Sequence, residues 1–428
     1  MSQSKLITSK FLKFACTECG MCDALSEGDA HDAEDIIHAA SKSNIFEHIC
    51  PGIGIDRSKL NIDYSYYSPL IGGYENSYIG FSNNQKQRVS SSSGGVITEV
   101  LCYLITEGLV DHVCIPLPDD ESELSHSYGF TNDIQLIRRS AQSIYKKISA
   151  WGVVDKILST DGSVAFVGLP DQIASLRSWQ LFDEGLKGKV KFFIGPMVGI
   201  GMDKEVVDVI PKIAKNKSGI KNLRWRYGEW PGYLRVEFNN GEVLKLHKFY
   251  YNYMLPFFCS NESLLSDDFS NECADISVGD AWSPKYEKLG KGWSVVWGKT
   301  TTGDDILKSM SEKGVIALDK VDFDEAVSMH EHMIDFKKRG SKYRAKIYKF
   351  FAIPTAKYYS PEPKYTVIRY FIEWTIVVII WGCRTKFARF LLPYVGQNIM
   401  GKLFSSLRIF WKKVTKRTKR KGLKDYGK

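Results

Sequence analysis

The sequence predicts a mixed α/β core, preceded by a short cysteine-bearing segment and followed by a helical, basic extension. Three observations carry this. Apolar runs of strand length alternate with stretches of helical period between residues 88 and 335. "FACTECGMC" places Cys16, Cys19 and Cys22 at intervals of three. From Gly401 onward eleven Lys or Arg face the single acid Asp425, whereas the other 400 residues carry 47 bases against 48 acids.

The totals set the frame. A length of 428 residues suggests two or three units with an ample core, and 44% hydrophobic, 25% charged and 13% aromatic residues exclude a disordered chain. "MSQSKLITSKF" has no apolar run of signal-peptide length, so a reducing cytosolic setting is expected. There the nine cysteines read as metal ligands or core residues rather than disulfides.

Along the chain, residues 1–60 are short, polar and cysteine-bearing, and 61–87 read as a connector because they combine turn formers with no helical period. The core spans 88–335. "SSSGG" precedes "VITEVLCYLITEGL", in which Val96, Val100, Leu101, Leu104 and Ile105 recur at helical spacing. "VDHVCIPL", "SVAFVGLP" and "KVKFFIG" read as buried strands, with "DQIASLRSWQLF" a helix between the last two. "LRVEFNNGEVLKL" alternates around "NNG" as a β-hairpin does, and "ADISVGDAW" and "GWSVVWGKT" supply two more strands.

Residues 336–428 form the extension. "YFIEWTIVVIIWG" is apolar for thirteen residues apart from Glu373, short of the roughly 20 that span a bilayer. "GKLFSSLRIFWKKVTKRTKRKG" then puts Leu403, Phe404, Leu407, Phe410 and Trp411 on one face beside a basic run. An anionic membrane surface is the expected partner of this tail, holding the protein at the inner face of the membrane, and nucleic acid is not expected.

The cysteines point to a cluster. Two-residue gaps let one tight turn present several sulfurs, and iron–sulfur proteins pair such a C-x2-C-x2-C run with a remote cysteine followed by proline. "HICPGIGID" supplies Cys50 and Pro51, so Cys16, Cys19, Cys22 and Cys50 make a ferredoxin-like set suited to one 4Fe-4S cluster. The 27 residues between Cys22 and Cys50 exceed the usual bacterial ferredoxin gap. Zinc, which also takes four thiolates, stays open as the chemical rival. Cys102 and Cys114 sit on apolar patterns and read as core, Cys383 as packing or lipid-facing, and Cys259 and Cys273 as weak ligand candidates.

The series "CTECGMC…CPGIGID", "SSSGGVITEVLCYLITEGLVDHV", "VAFVGLPDQIASLR" and "ADISVGDAW", in order over residues 12–320, resembles the beta-subunit family of coenzyme F-420 hydrogenases and dehydrogenases. These flavin enzymes also include hydroxymethyl chlorophyll reductase. The resemblance implies an FAD-bearing core that passes electrons between iron–sulfur clusters and an organic acceptor. It makes Ser91, Ser92, Ser93, Gly94 and Gly95 a candidate phosphate or flavin cradle at a helix N-terminus. Gly168, Pro170 and Gln172 of "VGLPDQ", and Asp275, Gly279 and Asp280 of "ADISVGD", are further candidates for the flavin.

The departures are informative. Where the family carries core-cluster cysteines this chain has Asp171, Ser263 and Ser266, and "GPMVGIG" has none, so one cluster is expected rather than two. Lys299 in "WGKT" replaces an arginine; it keeps the charge and loses the bidentate fork. The expected mechanism is a reductase: an external donor such as ferredoxin or reduced deazaflavin feeds the cluster, the cluster feeds FAD, and the flavin reduces an organic substrate. Family context suggests a nucleotide- or lipid-linked sugar of cell-surface polysaccharide synthesis. A homo-oligomer is expected. No proton donor stands out among His112, His126, His247 and Tyr227. The alternative is a non-catalytic, cluster-stabilised scaffold at the membrane.

Overall fold

β-Branched and aromatic runs bounded by turn formers pair where they can bury both faces, and here they build one large sheet. The structure is a computed structural model that describes residues 9–26, 33–119, 124–247, 252–395 and 397–427. Its strands are β1 (Tyr66–Ser68), β2 (Gly72–Tyr74), β3 (Asn76–Ser82), β4 (His112–Pro118), β5 (His126–Thr131), β6 (Val164–Val167), β7 (Val190–Pro196), β8 (Ile220–Tyr227), β9 (Tyr233–Phe238), β10 (Val243–His247), β11 (Ile276–Asp280), β12 (Ser294–Gly298) and β13 (Ile316–Lys320).

Eight of them form a mixed sheet in the order β13-β3-β12-β11-β7-β6-β4-β5. Its centre, β4, β6, β7 and β11, is parallel, as the alternating strand and helix patterns require. Helices Val96–Thr106 and Thr301–Glu312 cover one face through Val100, Leu104, Leu307 and Met310, all fully buried. Helix Pro170–Trp179 and helix Val153–Ser159 pack through Ile173, Val154 and Ile157 against Phe166 and Phe193 on the other. The "NNG" hairpin is β9–β10, and β8 joins it in a separate three-stranded sheet.

Two segments lie differently from their sequence assignment. Residues 76–82, inside the expected connector, form β3, which pairs with both β12 and β13. Its Gly80 is required by packing: a Cβ there would sit 2.4 Å from Leu318 and 2.5 Å from the Ala317 carbonyl oxygen. The expected boundary at 335 falls within continuous helical chain, because helix Phe323–Asp335 runs through one wider turn, Phe336–Gly340, into helix Ser341–Phe350.

The extension continues as helices Val367–Cys383, Lys386–Leu391 and Gln397–Lys424. No helix among the described residues is long and apolar enough to cross a membrane.

Candidate functional site

The cysteine segment cannot fold by its own packing. Its helices, Ser9–Phe14, Ala33–Ala40 and Phe46–Ile49, are too short to stand alone in water. They dock on the core instead. Ser175 and Ser178 of helix Pro170–Trp179 donate to the carbonyls of Ile49 and His48 at 2.6 and 2.9 Å. The Cys16–Cys22 loop lies on the turn before helix Val153–Ser159, where the Ala150 amide donates to the Cys19 carbonyl at 2.9 Å. Gly20, at φ +86°, approaches so closely that a Cβ would sit 2.6 Å from the backbone of Ala150 and Trp151.

This docking brings Cys16, Cys19, Cys22 and Cys50 around one pocket, walled otherwise mainly by apolar groups such as Phe11, Ile37, Phe46 and Trp151. The amide of Glu18 points at the Cys16 sulfur at 3.4 Å. Among the described residues no three His, Cys, Asp or Glu side chains are gathered closely enough for one metal ion. Burial pushes all four thiols above their ordinary range, Cys50 to about 12, and proximity to one another adds to this for Cys19, Cys22 and Cys50. Such thiols ionise when a positively charged centre sits among them. Four buried thiols lining one apolar pocket are the donor set that suits an iron–sulfur cluster.

A second cavity adjoins the first through Thr17 and Pro51. It is lined by the positions where the sequence lacks the second set of thiols: Asp171 and Ser266 face it, with Glu262, Asp267 and Asp268. Ser263 lies beside them and accepts from the Gly201 amide at 2.8 Å, within the "GPMVGIG" segment. Asp171, the Glu262–Asp268 stretch and the end of "GPMVGIG" thus come together beside the first cavity, where carboxylates and hydroxyls line the space.

The charges there are unequal in their pairing. Burial raises the Asp267 carboxyl, but Arg57, at 2.9 Å, and Lys338 outweigh it and hold the group well below the usual carboxylate range. Neither oxygen of Asp171 has a hydrogen-bond partner. Burial, reinforced by Glu262 and opposed by Lys147, lifts its pKa to about 6. A raised carboxyl costs stability once it ionises, a cost absent below the unfolded value and complete above about pH 6. Asp171→Asn is therefore expected to stabilise the protein by on the order of 3 kcal/mol at pH 8, and by roughly half that at pH 5. Thermal melts of both proteins at the two pH values check this; an equal gain at both would remove Asp171 ionisation as the cause.

The flavin candidates divide into two groups. Ser91–Gly95, Gly168, Pro170, Gly279 and Asp280 come to the edge where the parallel strands end, since β3 reaches Ser82 and β12 begins at Ser294 on that same edge. Asp275 and Lys299 are at the opposite end of β11 and β12. Asp275 accepts from Arg177 at 2.8 Å and Thr300 at 2.9 Å, and Lys299 is buried with its ammonium donating to the Ile71 carbonyl. Burial lowers the Lys299 pKa to about 8. Both residues hold the sheet to its surroundings and lie apart from the other candidates.

Within the edge group, Gln172 accepts from the Leu169 amide and Tyr128 hydroxyl and donates to the Ile148 carbonyl, at 2.7–2.9 Å. Asp280 pairs with Arg226 at 2.8 Å and accepts from the Trp230 indole at 2.8 Å. Ser91 donates to the Gln87 carbonyl, Ser93 donates to that of Trp293, and Ser92 accepts from the Ser143 amide, all at 2.7 Å. Two neighbours that sequence reasoning missed face this turn with spare capacity. Arg88, lying 3.5 Å over the Phe81 ring, has a buried Nη2 without a partner, and Gln142 has a buried Oε1 without one. A buried arginine beside a Gly-Gly turn is the signal that could have found it, and it fits the phosphate end of a dinucleotide cofactor.

Comparison with known proteins agrees with this architecture. Two family models, for the N-terminal and the C-terminal parts of the coenzyme F420 hydrogenase/dehydrogenase beta subunit, match residues 77–154 and 161–323, together more than half of the chain. The coenzyme F420 hydrogenase subunit beta of Methanothermobacter thermautotrophicus is 21% identical over 267 residues, 58% of this chain and 84% of that protein. An uncharacterised protein of Methanocaldococcus jannaschii is 26% identical over 246 residues, 55% of this chain and 84% of its own length. A chain in the structure of the F420-reducing [NiFe] hydrogenase complex from Methanosarcina barkeri shares the fold, with TM-score 0.54 and 18% identity over 68% of this chain and 99% of that one. The protein belongs to the coenzyme F420 hydrogenase/dehydrogenase beta-subunit family of oxidoreductase subunits.

Proposed function

We propose that this chain is an oxidoreductase with one 4Fe-4S cluster on Cys16, Cys19, Cys22 and Cys50 and FAD at the carboxyl edge of the large sheet, moving electrons from an external donor to an organic acceptor. The observation that carries the reading is the pairing of cavities: four thiols around one, carboxylates around its neighbour. The cluster would supply one-electron transfer and the flavin would join it to two-electron chemistry. The chain's own part is positional. Phe11, Ile37, Phe46 and Trp151 keep water from the thiols, and the Glu18 amide hydrogen-bonds a sulfur. Gly94 and Gly95 let the turn pack closely on Gly80 and Ser82 ahead of helix Val96–Thr106, and Arg88 offers a cation to a phosphate. Reduced deazaflavin or ferredoxin is the proposed donor.

The test is the iron, sulfide, zinc and flavin content of protein purified without oxygen. Iron with one flavin is expected. Arg88→Met should lower flavin content several-fold and leave iron unchanged. The commitment of Ser91 and Ser93 to main-chain carbonyls favours a second reading, a scaffold that has lost its flavin. Iron without flavin would establish that reading and overturn the reductase.

A further inference from the structure

Helix Val367–Cys383 is apolar on both sides: Ile372, Ile376, Val377 and Ile380 are packed inward, yet further apolar residues face outward. Arg369 and Glu373, its two charged residues, are buried, whereas Val367, Ile368, Phe371, Val378 and Ile379 recur at helical spacing on the outward face. Phe371 is 71% exposed. The following helices repeat the pattern. Phe387 and Phe390 stand out from Lys386–Leu391, at 71% and 63% exposure. Ile399, Leu403 and Phe410 form a stripe on Gln397–Lys424. Trp411 of the last helix belongs to the same apolar cluster as Ile372, Ile376 and Trp374 of the first. An apolar surface of this extent, made by successive helices, marks an interaction site.

We propose that these three helices lie on an anionic lipid surface, with the apolar face in the headgroup and acyl boundary and the protein held peripherally. Charge identifies the occupant. Between Trp374 and Lys424 the sequence holds thirteen Lys or Arg and no Asp or Glu. Lys386, Lys402, Lys413 and Lys416 are exposed on the same helices as the apolar stripe. A second copy of this face would set base against base, and a nucleic acid would meet the charge but leave the phenylalanines in water. An anionic bilayer satisfies both features at once, each nearby cation adding about 1 kcal/mol.

The experiment is co-sedimentation of the full chain with vesicles of phosphatidylcholine and phosphatidylglycerol, against phosphatidylcholine alone. Binding to the anionic vesicles is expected, weaker in high salt. Phe371→Asp and Phe387→Asp, tested singly, should each weaken it at least about tenfold. Both side chains are exposed, so circular dichroism and iron content should not change. The proposal is overturned if the wild type binds neither vesicle, or if both variants bind as the wild type does. A dimer that either variant dissociates, without vesicle binding, overturns it in favour of a second copy. Retention on duplex DNA without vesicle binding overturns it in favour of nucleic acid.

Discussion

Cys50→Ala is expected to reduce iron from about four atoms per chain to near zero, with loss of visible absorption, when the protein is prepared without oxygen. The reason is the division of labour within the segment. Cys16, Cys19 and Cys22 come from one loop, whereas Cys50 comes from the far side of the cavity, held against helix Pro170–Trp179 through the Ser175 bond to Ile49. Removing it takes away the link that closes the ring. The helices of residues 9–49 then keep only their small apolar contacts and a few hydrogen bonds to the core, so limited proteolysis should cut the segment from the variant faster than from the wild type. Cys102→Ala is the control: Cys102 is buried in the core cluster on helix Val96–Thr106, and its replacement should leave iron unchanged. Retention of iron by Cys50→Ala would remove Cys50 from the ligand set. Zinc in place of iron in the wild type would replace the cluster altogether.

Periodicity made the parallel strands legible, because β4, β6, β7 and β11 are buried on both faces and read as continuous apolar runs. It failed at β3. "NSYIGFS" contains Asn, Gly and two Ser, the composition of a turn, yet it lies between β12 and β13, where Ile79 is fully buried and Gly80 admits Leu318. Tertiary pairing overrode local preference there. The cysteine site was legible because spacing alone gathers three sulfurs and Cys50-Pro51 is a recognisable partner. The second cavity was legible only as missing thiols, since no local pattern shows that Asp171, Glu262 and Ser266 meet. Asp275 and Lys299 are the opposite case. Asp275 stood out as an acid near a glycine and Lys299 through the resemblance; that Arg177 and the Ile71 carbonyl bond them could not be read locally, since both partners are remote in sequence.

Glu373→Ala is expected to cost about 3–5 kcal/mol, a large share of what usually holds a domain together. From the sequence Glu373 reads as a blemish in an apolar helix. In the structure it is fully buried between two guanidiniums, Arg344 at 2.5 Å and Arg369 at 2.7 Å, and Arg369 continues the chain of charges to Asp335 at 2.5 Å. Its removal leaves three buried cations, Arg344, Arg369 and Arg339, with the one carboxylate of Asp335, and unpaired burial of charge, rather than loss of the pair's own attraction, sets the cost. The consequence reaches the site. Arg344 donates to the Leu264 carbonyl at 2.8 Å, and Tyr358 donates to that of Leu265, both beside the acidic cavity. The Lys357 amide donates to the Ile53 carbonyl at 2.7 Å, three residues beyond Cys50. Loosening the helix at Glu373 should therefore expose residues 353–360 and the Cys50 turn to hydrogen exchange along with the helix itself. Replacing Arg344 and Glu373 together by Met and Leu, which removes the opposed charges as a pair, should recover most of the loss. If the double replacement is no more stable than Glu373→Ala, the burden falls on the helix packing and not on the stranded cations.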